Sequence, residues 1–144
     1  MVNALPTLTM LEKLTVADGK VVECGAGSGL WLYIMREFGI DAIGFDPKPC
    51  GPLVKKGSHL NLGAYSDRLL LTVWPPDGTD IQEWINIHGG RWFAFCGSST
   101  RVLNFPTFKK GTVYYEDIAR GVGRPNFFCM GEIDVRSGDQ AKQK

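Results

Sequence analysis

Long apolar runs are missing from this 144-residue chain, and no segment is apolar enough for long enough to span a bilayer. The N-terminus also lacks the basic and then hydrophobic layout of a secretory leader, so a cytoplasmic location is expected. Charge of one sign is absent as well. Sixteen Lys and Arg against 15 Asp and Glu leave a net charge of +1, which gives no general pull toward nucleic acid or an anionic membrane. Histidine is limited to His59 and His88, and Cys24, Cys50, Cys96 and Cys129 form no C-x-x-C pair. No metal site is expected from that set. Three of the four cysteines lie in apolar runs, where a reduced thiol behaves as a small hydrophobe. Neither a repeat nor a linker interrupts the chain. One domain is therefore expected over residues 1–136, with a polar, disordered tail over 137–144.

Glycine, by contrast, is plentiful, with 18 residues against an ordinary share of roughly 7%. Its most informative use is Val21-Val22-Glu23-Cys24-Gly25-Ala26-Gly27-Ser28-Gly29. This reads as a short buried strand that stops at a glycine loop and opens into a helix. Seventeen residues after Gly29, Asp46 closes a second apolar run, Ala42-Ile43-Gly44-Phe45. Such a loop lets backbone N–H groups approach a ligand, and an acid on the next strand can accept from a ribose diol.

Spacing narrows the ligand. The dinucleotide fingerprint needs glycine at loop positions one, three and six, and counting from Gly25 the sixth position is Leu30. A phosphate-binding P-loop fails because no Gly-Lys-Ser/Thr follows. The pattern that fits is acid-x-Gly-x-Gly-x-Gly from Glu23 to Gly29. It resembles the first motif of class I S-adenosylmethionine (SAM)-dependent methyltransferases, and the order of elements agrees with a compact member of that family. Another nucleotide, or a glycine turn with no ligand, are the alternatives the residues leave.

The element order is read from periodicity and breakers. A short helix is predicted over Leu8–Val16, a strand over Lys20–Cys24, a helix over Leu30–Phe38 and a strand over Ile40–Phe45. Three prolines between Pro47 and Pro52 exclude regular structure there. A short strand follows over Leu53–Ser58, then a buried strand over Arg68–Trp74 halted by Pro75-Pro76. A helix over Thr79–Ile87 is capped by Thr79 or Asp80, and Trp92–Cys96 is the next strand. Thr112–Ile118 and Phe127–Val135 form a closing antiparallel hairpin. Fewer than the usual helices fit between Asp46 and Asp77. The fold class is α/β, a Rossmann-like three-layer sandwich with a mostly parallel sheet.

The resemblance implies roles for particular residues. Gly25, Ala26, Gly27, Ser28 and Gly29 would lie against the methionine part of SAM, with helix-start N–H groups meeting its carboxylate. Glu23 would face the ammonium; its alternative is an acid that favours the helix dipole. Asp46 would hold the ribose hydroxyls, and its alternative is an Asx-turn opening the proline loop. Pro47 and Lys48 would line the adenine, and Ser58 or His59 would stand where family members carry an acid for the adenine amine. Trp74-Pro75-Pro76-Asp77 occupies the place of the family's Asn/Asp-Pro-Pro-aromatic motif, with Trp74 also against the cofactor. The family's side-chain acceptor is missing there. The target would be held by the Trp74 and Pro75 carbonyls, with Asp77 as acceptor or base, or else the chain binds SAM without transferring its methyl. Tyr114 to Asp117, Arg120 and Arg124 are read as edge-strand residues in preference to a substrate lip. The expected function is methyl transfer from SAM to a small molecule or an exposed N or O nucleophile, the acceptor being unreadable. The rival is a non-catalytic SAM-binding module, as a homo-oligomer or with a partner subunit.

Overall fold

A computed structural model of the chain describes residues 5–118 and 126–134. Seven strands form one sheet: β1 (Lys20–Cys24), β2 (Asp41–Asp46), β3 (Lys55–Lys56), β4 (Leu69–Val73), β5 (Trp92–Gly97), β6 (Tyr114–Ile118) and β7 (Asn126–Glu132). Their spatial order is β3-β2-β1-β4-β5-β7-β6. The first five are mutually parallel, whereas β7 runs antiparallel to both β5 and β6. The order reverses between β1 and β4, and that switch point opens a crevice at the carboxyl edge.

Alternation along the strands feeds two cores. One face carries Val21, Leu69, Leu71, Ala94, Cys96, Phe128 and Met130 against α1 (Leu8–Lys13) and α2 (Leu30–Glu37). The opposite face carries Val22, Cys24, Leu70, Phe93, Phe95 and Cys129 against α3 (Ile81–His88) and a 3-10 segment over His59–Tyr65. Both faces of β1, β4 and β5 are thus buried, which is why those strands are mostly apolar, with Glu23 and Thr72 as buried polar exceptions. Phe105 and Phe108, from the segment between β5 and β6, complete the second face in edge and stacked contacts with Phe93 and Phe95.

Expected and observed elements agree in kind and differ at their ends. The first helix stops at Lys13, short of Val16, and its cap is Thr7, whose hydroxyl accepts from the Met10 N–H. Asp80, not Thr79, caps α3 by accepting from the Glu83 N–H, a contact worth about 1 kcal/mol. The strand expected over Leu53–Ser58 shrinks to Lys55–Lys56. Between β3 and β4 the helix expected to be lost is replaced by the 3-10 segment. At the closing hairpin, β6 begins at Tyr114 and β7 ends at Glu132; residues 119–125, which include Arg120 and Arg124, and the tail from 137 lie outside the described residues. Among the described residues no helix is long and apolar enough to cross a membrane.

His88 pins α3 to the neck of β4. The Gly90 N–H donates to its Nδ1 at 3.2 Å, so Nε2 carries the proton and donates to the Tyr65 carbonyl at 3.0 Å. Burial holds this imidazole neutral by lowering its pKa.

Candidate cofactor and acceptor site

The glycine loop begins where β1 ends. Gly25, Gly27 and Gly29 adopt φ of 79°, 57° and 86°, a left-handed conformation that L side chains seldom take. A Cβ built on Gly25 or Gly27 would meet nothing within 4 Å, so the loop borders open space. Its inner side is tied to β2, since the N–H groups of Gly25 and Ala26 both donate to the Phe45 carbonyl at 2.9 and 3.0 Å. Gly44 lets this loop close on β2, because a Cβ there would come within 3.0 Å of Ala26 Cβ and 2.8 Å of Leu32 Cδ1. Ser28 is exposed, and α2 starts directly after Gly29 without a side-chain cap. That helix start is a place for an anionic group.

Two carboxylates flank the loop. Glu23 lies on β1 at 2% exposure, and its Oε1 has no hydrogen-bond partner. Burial, and then the charge of Asp46, push its pKa well above the usual carboxylate range. The side chain is therefore interior, with no solvent to meet that oxygen. A buried carboxyl oxygen without a partner costs about 1–3 kcal/mol, so something is expected to meet it. Asp46 closes β2 half-buried. Its Oδ2 accepts from the Gly27 N–H at 3.1 Å and its Oδ1 from the Lys48 N–H at 2.9 Å. The second bond is the Asx-turn anticipated for the proline loop; the first joins the acid to the glycine loop itself. Each carboxylate oxygen has a further lone-pair direction, so both bonds are compatible with a diol on the same group.

The remaining expected contacts are spread more widely. Pro47 and Lys48 are exposed at the same edge. Ser58 is occupied as a cap: its hydroxyl accepts from the Leu60 N–H while the Asn61 side chain accepts from the Ser58 N–H. His59 stacks on Trp84 with centroids 5.7 Å apart and faces Glu83 at 3.4 Å. Neither side chain is thus directed by anything in the structure toward the glycine loop.

Across the switch point, Trp74 follows β4 with φ of 50°, outside the range of ordinary L residues. Its N–H donates to the Cys96 carbonyl at 2.7 Å. Gly97, at φ of 154°, lies beside Phe95 and the indole, and a Cβ there would come within 3.2 Å of Phe95 Cζ. The indole Nε1 is buried and unpartnered. Beyond Pro75, which is half-buried, the loops after β4 and β5 are laced together. Gly78 donates to the Arg101 carbonyl at 2.7 Å, Leu103 to Thr79 at 2.8 Å and Ile81 to Leu103 at 3.0 Å. Asp77 completes the lacing, with both oxygens 2.8–2.9 Å from Arg101 Nη1. Arg101 is a residue that sequence reasoning missed. No local pattern announces a pair 24 positions apart.

Three of the four thiols are unreactive. Burial pushes the Cys24, Cys96 and Cys129 thiols up to about 12, so they stay protonated and inert.

No family model matches the chain and no curated protein matches it. Solved structures do. The chain aligns with a ΔN METTL16 methyltransferase domain at a TM-score of 0.54 and 11% identity, covering 89% of this chain and 84% of that one. The fold is that of a class I methyltransferase. A human methyltransferase 10 domain containing protein follows at a TM-score of 0.49 and 10% identity, over 89% and 85% of the two chains. WbdD follows at 0.46 and 9%, covering 84% of this chain and 38% of that one. At these identities the likeness is one of fold. In this chain the glycine loop, Asp46 and Trp74 lie at the carboxyl ends of β1, β2 and β4.

Proposed function

We propose that this chain is a SAM-dependent methyltransferase whose cofactor lies along the carboxyl edge of β1 and β2. The observation that carries the reading is the buried, unpartnered Glu23 oxygen beside an open glycine loop and the β2-terminal Asp46. The donor set fits the ligand group by group. Glu23 supplies a carboxylate for an ammonium, the start of α2 supplies N–H groups for a carboxylate, and Asp46 supplies acceptors for a diol. When bound, SAM provides the electrophilic methyl group. The protein's part is then alignment, because in-line displacement is accelerated chiefly by placing the nucleophile behind the transferred carbon. The Trp74 and Pro75 carbonyls stand at the adjacent strand end as acceptors for a target N–H or O–H.

Two features favour a second reading, a SAM-binding module without transfer. Asp77, the nearest candidate base, is held by Arg101, whose Nη1 lies against both of its oxygens. Trp74 offers a donor in place of a side-chain acceptor.

Thermal denaturation with SAM, S-adenosylhomocysteine, NAD and ATP separates nucleotide classes. Stabilisation should grow with concentration for the first two alone. Asp46→Ala should weaken S-adenosylhomocysteine binding roughly tenfold or more, as expected on losing a charge-assisted pair. Stabilisation by NAD and not by SAM would sink the proposal.

A further inference from the structure

The connection between β2 and β3 is unusual for parallel neighbours. Only residues 47–54 join them, where a parallel crossover ordinarily takes a dozen residues or more. The register explains how so short a link suffices. Lys55 pairs with Phe45 and Lys56 with Asp46, so β3 enters the sheet level with the end of β2 instead of its beginning. The link never descends a face of the sheet. It leaves and re-enters at the carboxyl edge, and there it meets the glycine loop.

Three contacts fasten it. The Cys50 N–H donates to the Gly27 carbonyl at 3.1 Å. Gly51 sits so close to Ser28 that a Cβ would stand 2.3 Å from its carbonyl oxygen. Val54 is buried against Gly29, where a Cβ would come within 3.0 Å of Val54 Cγ2. Pro47, Pro49 and Pro52 fix φ along the same stretch and leave it few alternative shapes.

We infer that residues 47–54 form a strap that sets the shape of the glycine loop before the cofactor arrives. This rests on the SAM reading above. A loop with glycine at 25, 27 and 29 has no side chains at those positions to hold it, and ordering such a loop at the moment of binding would subtract from affinity. The strap supplies that order in advance. Cys50 through its backbone, Gly51 through its lack of a Cβ and Val54 through packing are positioning residues, acting on the cofactor through Gly27 to Gly29.

Cys50 also makes the strap measurable. It is the exposed cysteine among four, the others being buried with thiols near 12, so Ellman's reagent reports on this segment. Gly51 has no positive φ, so Gly51→Ala disturbs the seat on Ser28 and little else. Pro49→Gly combined with Pro52→Gly leaves the seat intact and softens the strap, which guards against a single misfolded variant; circular dichroism checks the fold of each. Both should raise the Cys50 reaction rate several-fold and weaken S-adenosylhomocysteine binding, measured by calorimetry, by roughly tenfold. Bound S-adenosylhomocysteine should slow the Cys50 reaction in the unaltered protein. A Cys50 rate that is the same in all three proteins would overturn the strap, as would faster reaction with unchanged affinity. No binding of S-adenosylhomocysteine by the unaltered protein would instead overturn the cofactor reading on which the strap depends.

Discussion

The two sides of the switch point are built on opposite plans. Around β1 and β2, polar capacity is left unspent: Glu23 Oε1 has no partner, and Gly25 and Gly27 border empty space. Around β4 and β5, Thr72 Oγ1 and Trp74 Nε1 are also buried without a partner, but the loops are closed on each other, laced by backbone bonds and by Asp77 tied to Arg101. An open loop can take a ligand as it stands, whereas loops bonded to each other must release something before they can bind. The first plan suits a cofactor that always has the same shape. The second suits either a substrate that displaces the Arg101 pair or an acceptor site completed elsewhere.

The largest expected effect breaks the first half. Glu23→Gln removes the charge that an ammonium would need while keeping the shape of the side chain. S-adenosylmethionine affinity should fall tenfold or more, whereas the ligand-free protein should become more stable at neutral pH. The sign follows from linkage. The folded pKa of Glu23 is raised above its unfolded value of about 4.5, so the native state retains a proton that the unfolded chain gives up. Its contribution is fully present below pH of about 4.5 and is lost as pH rises through the folded pKa. Glutamine has no such loss. For the same reason cofactor binding should release protons, and affinity should rise with pH until the free protein's Glu23 is ionised. Calorimetry in buffers of different ionisation enthalpy reads this directly. Equal affinity of the variant and the parent would end the contrast between the two halves.

Trp74→Phe probes one of the two buried unpartnered groups of the second half among the described residues, the other being the Thr72 hydroxyl. It deletes an indole N–H that is buried without a partner, and relief of such a group is worth about 1 kcal/mol or more. Phenylalanine leaves a smaller ring beside Gly97, which offsets part of the gain. Denaturant unfolding should show a stability equal to or above that of the parent. A clear loss would mean that this half, too, is tightly packed around the indole and holds nothing in reserve.

How much of this was legible in the residues differs by side. β1 falls where expected, over Lys20–Cys24, because Asp18-Gly19 and Gly25 bracket a short segment around Val21 and Val22. The β1-to-α2 passage and the terminal position of Asp46 were legible for the same reason, since each is a local change from apolar run to glycine or acid. β3 was overestimated. Hydrophobicity at Leu53 and Val54 reads as strand, but those side chains pack on the glycine loop and the first core, and ladder pairing starts only at Lys55. Ser58 and His59 were assigned to a ligand by analogy of place, whereas Ser-x-x-Asn over 58–61 carries a capping signature that the structure uses. The positive φ of Trp74 goes with a bond from its N–H to the Cys96 carbonyl on the neighbouring strand, and no window of sequence contains both partners. Local punctuation is readable; long-range pairing such as Asp77 with Arg101 is not.

The smallest expected effect on the fold sharpens the comparison most. Arg101 and Asp77 are 36% and 68% exposed at their side chains, so solvent screens the pair and Asp77→Asn should change stability by less than about 1 kcal/mol. The variant should leave S-adenosylhomocysteine affinity unaltered, because Asp77 lies beyond β4 and touches neither carboxylate of the other half. Turnover then decides what the pair is for. If Asp77 accepts a proton or a hydrogen bond from the acceptor, kcat falls while KM moves little. If Arg101 receives an anionic acceptor once Asp77 lets go, weakening the pair lowers KM and leaves kcat in place. If neither parameter moves, the lacing of the β4 and β5 loops is structural, and the acceptor is held by the Trp74 and Pro75 carbonyls alone.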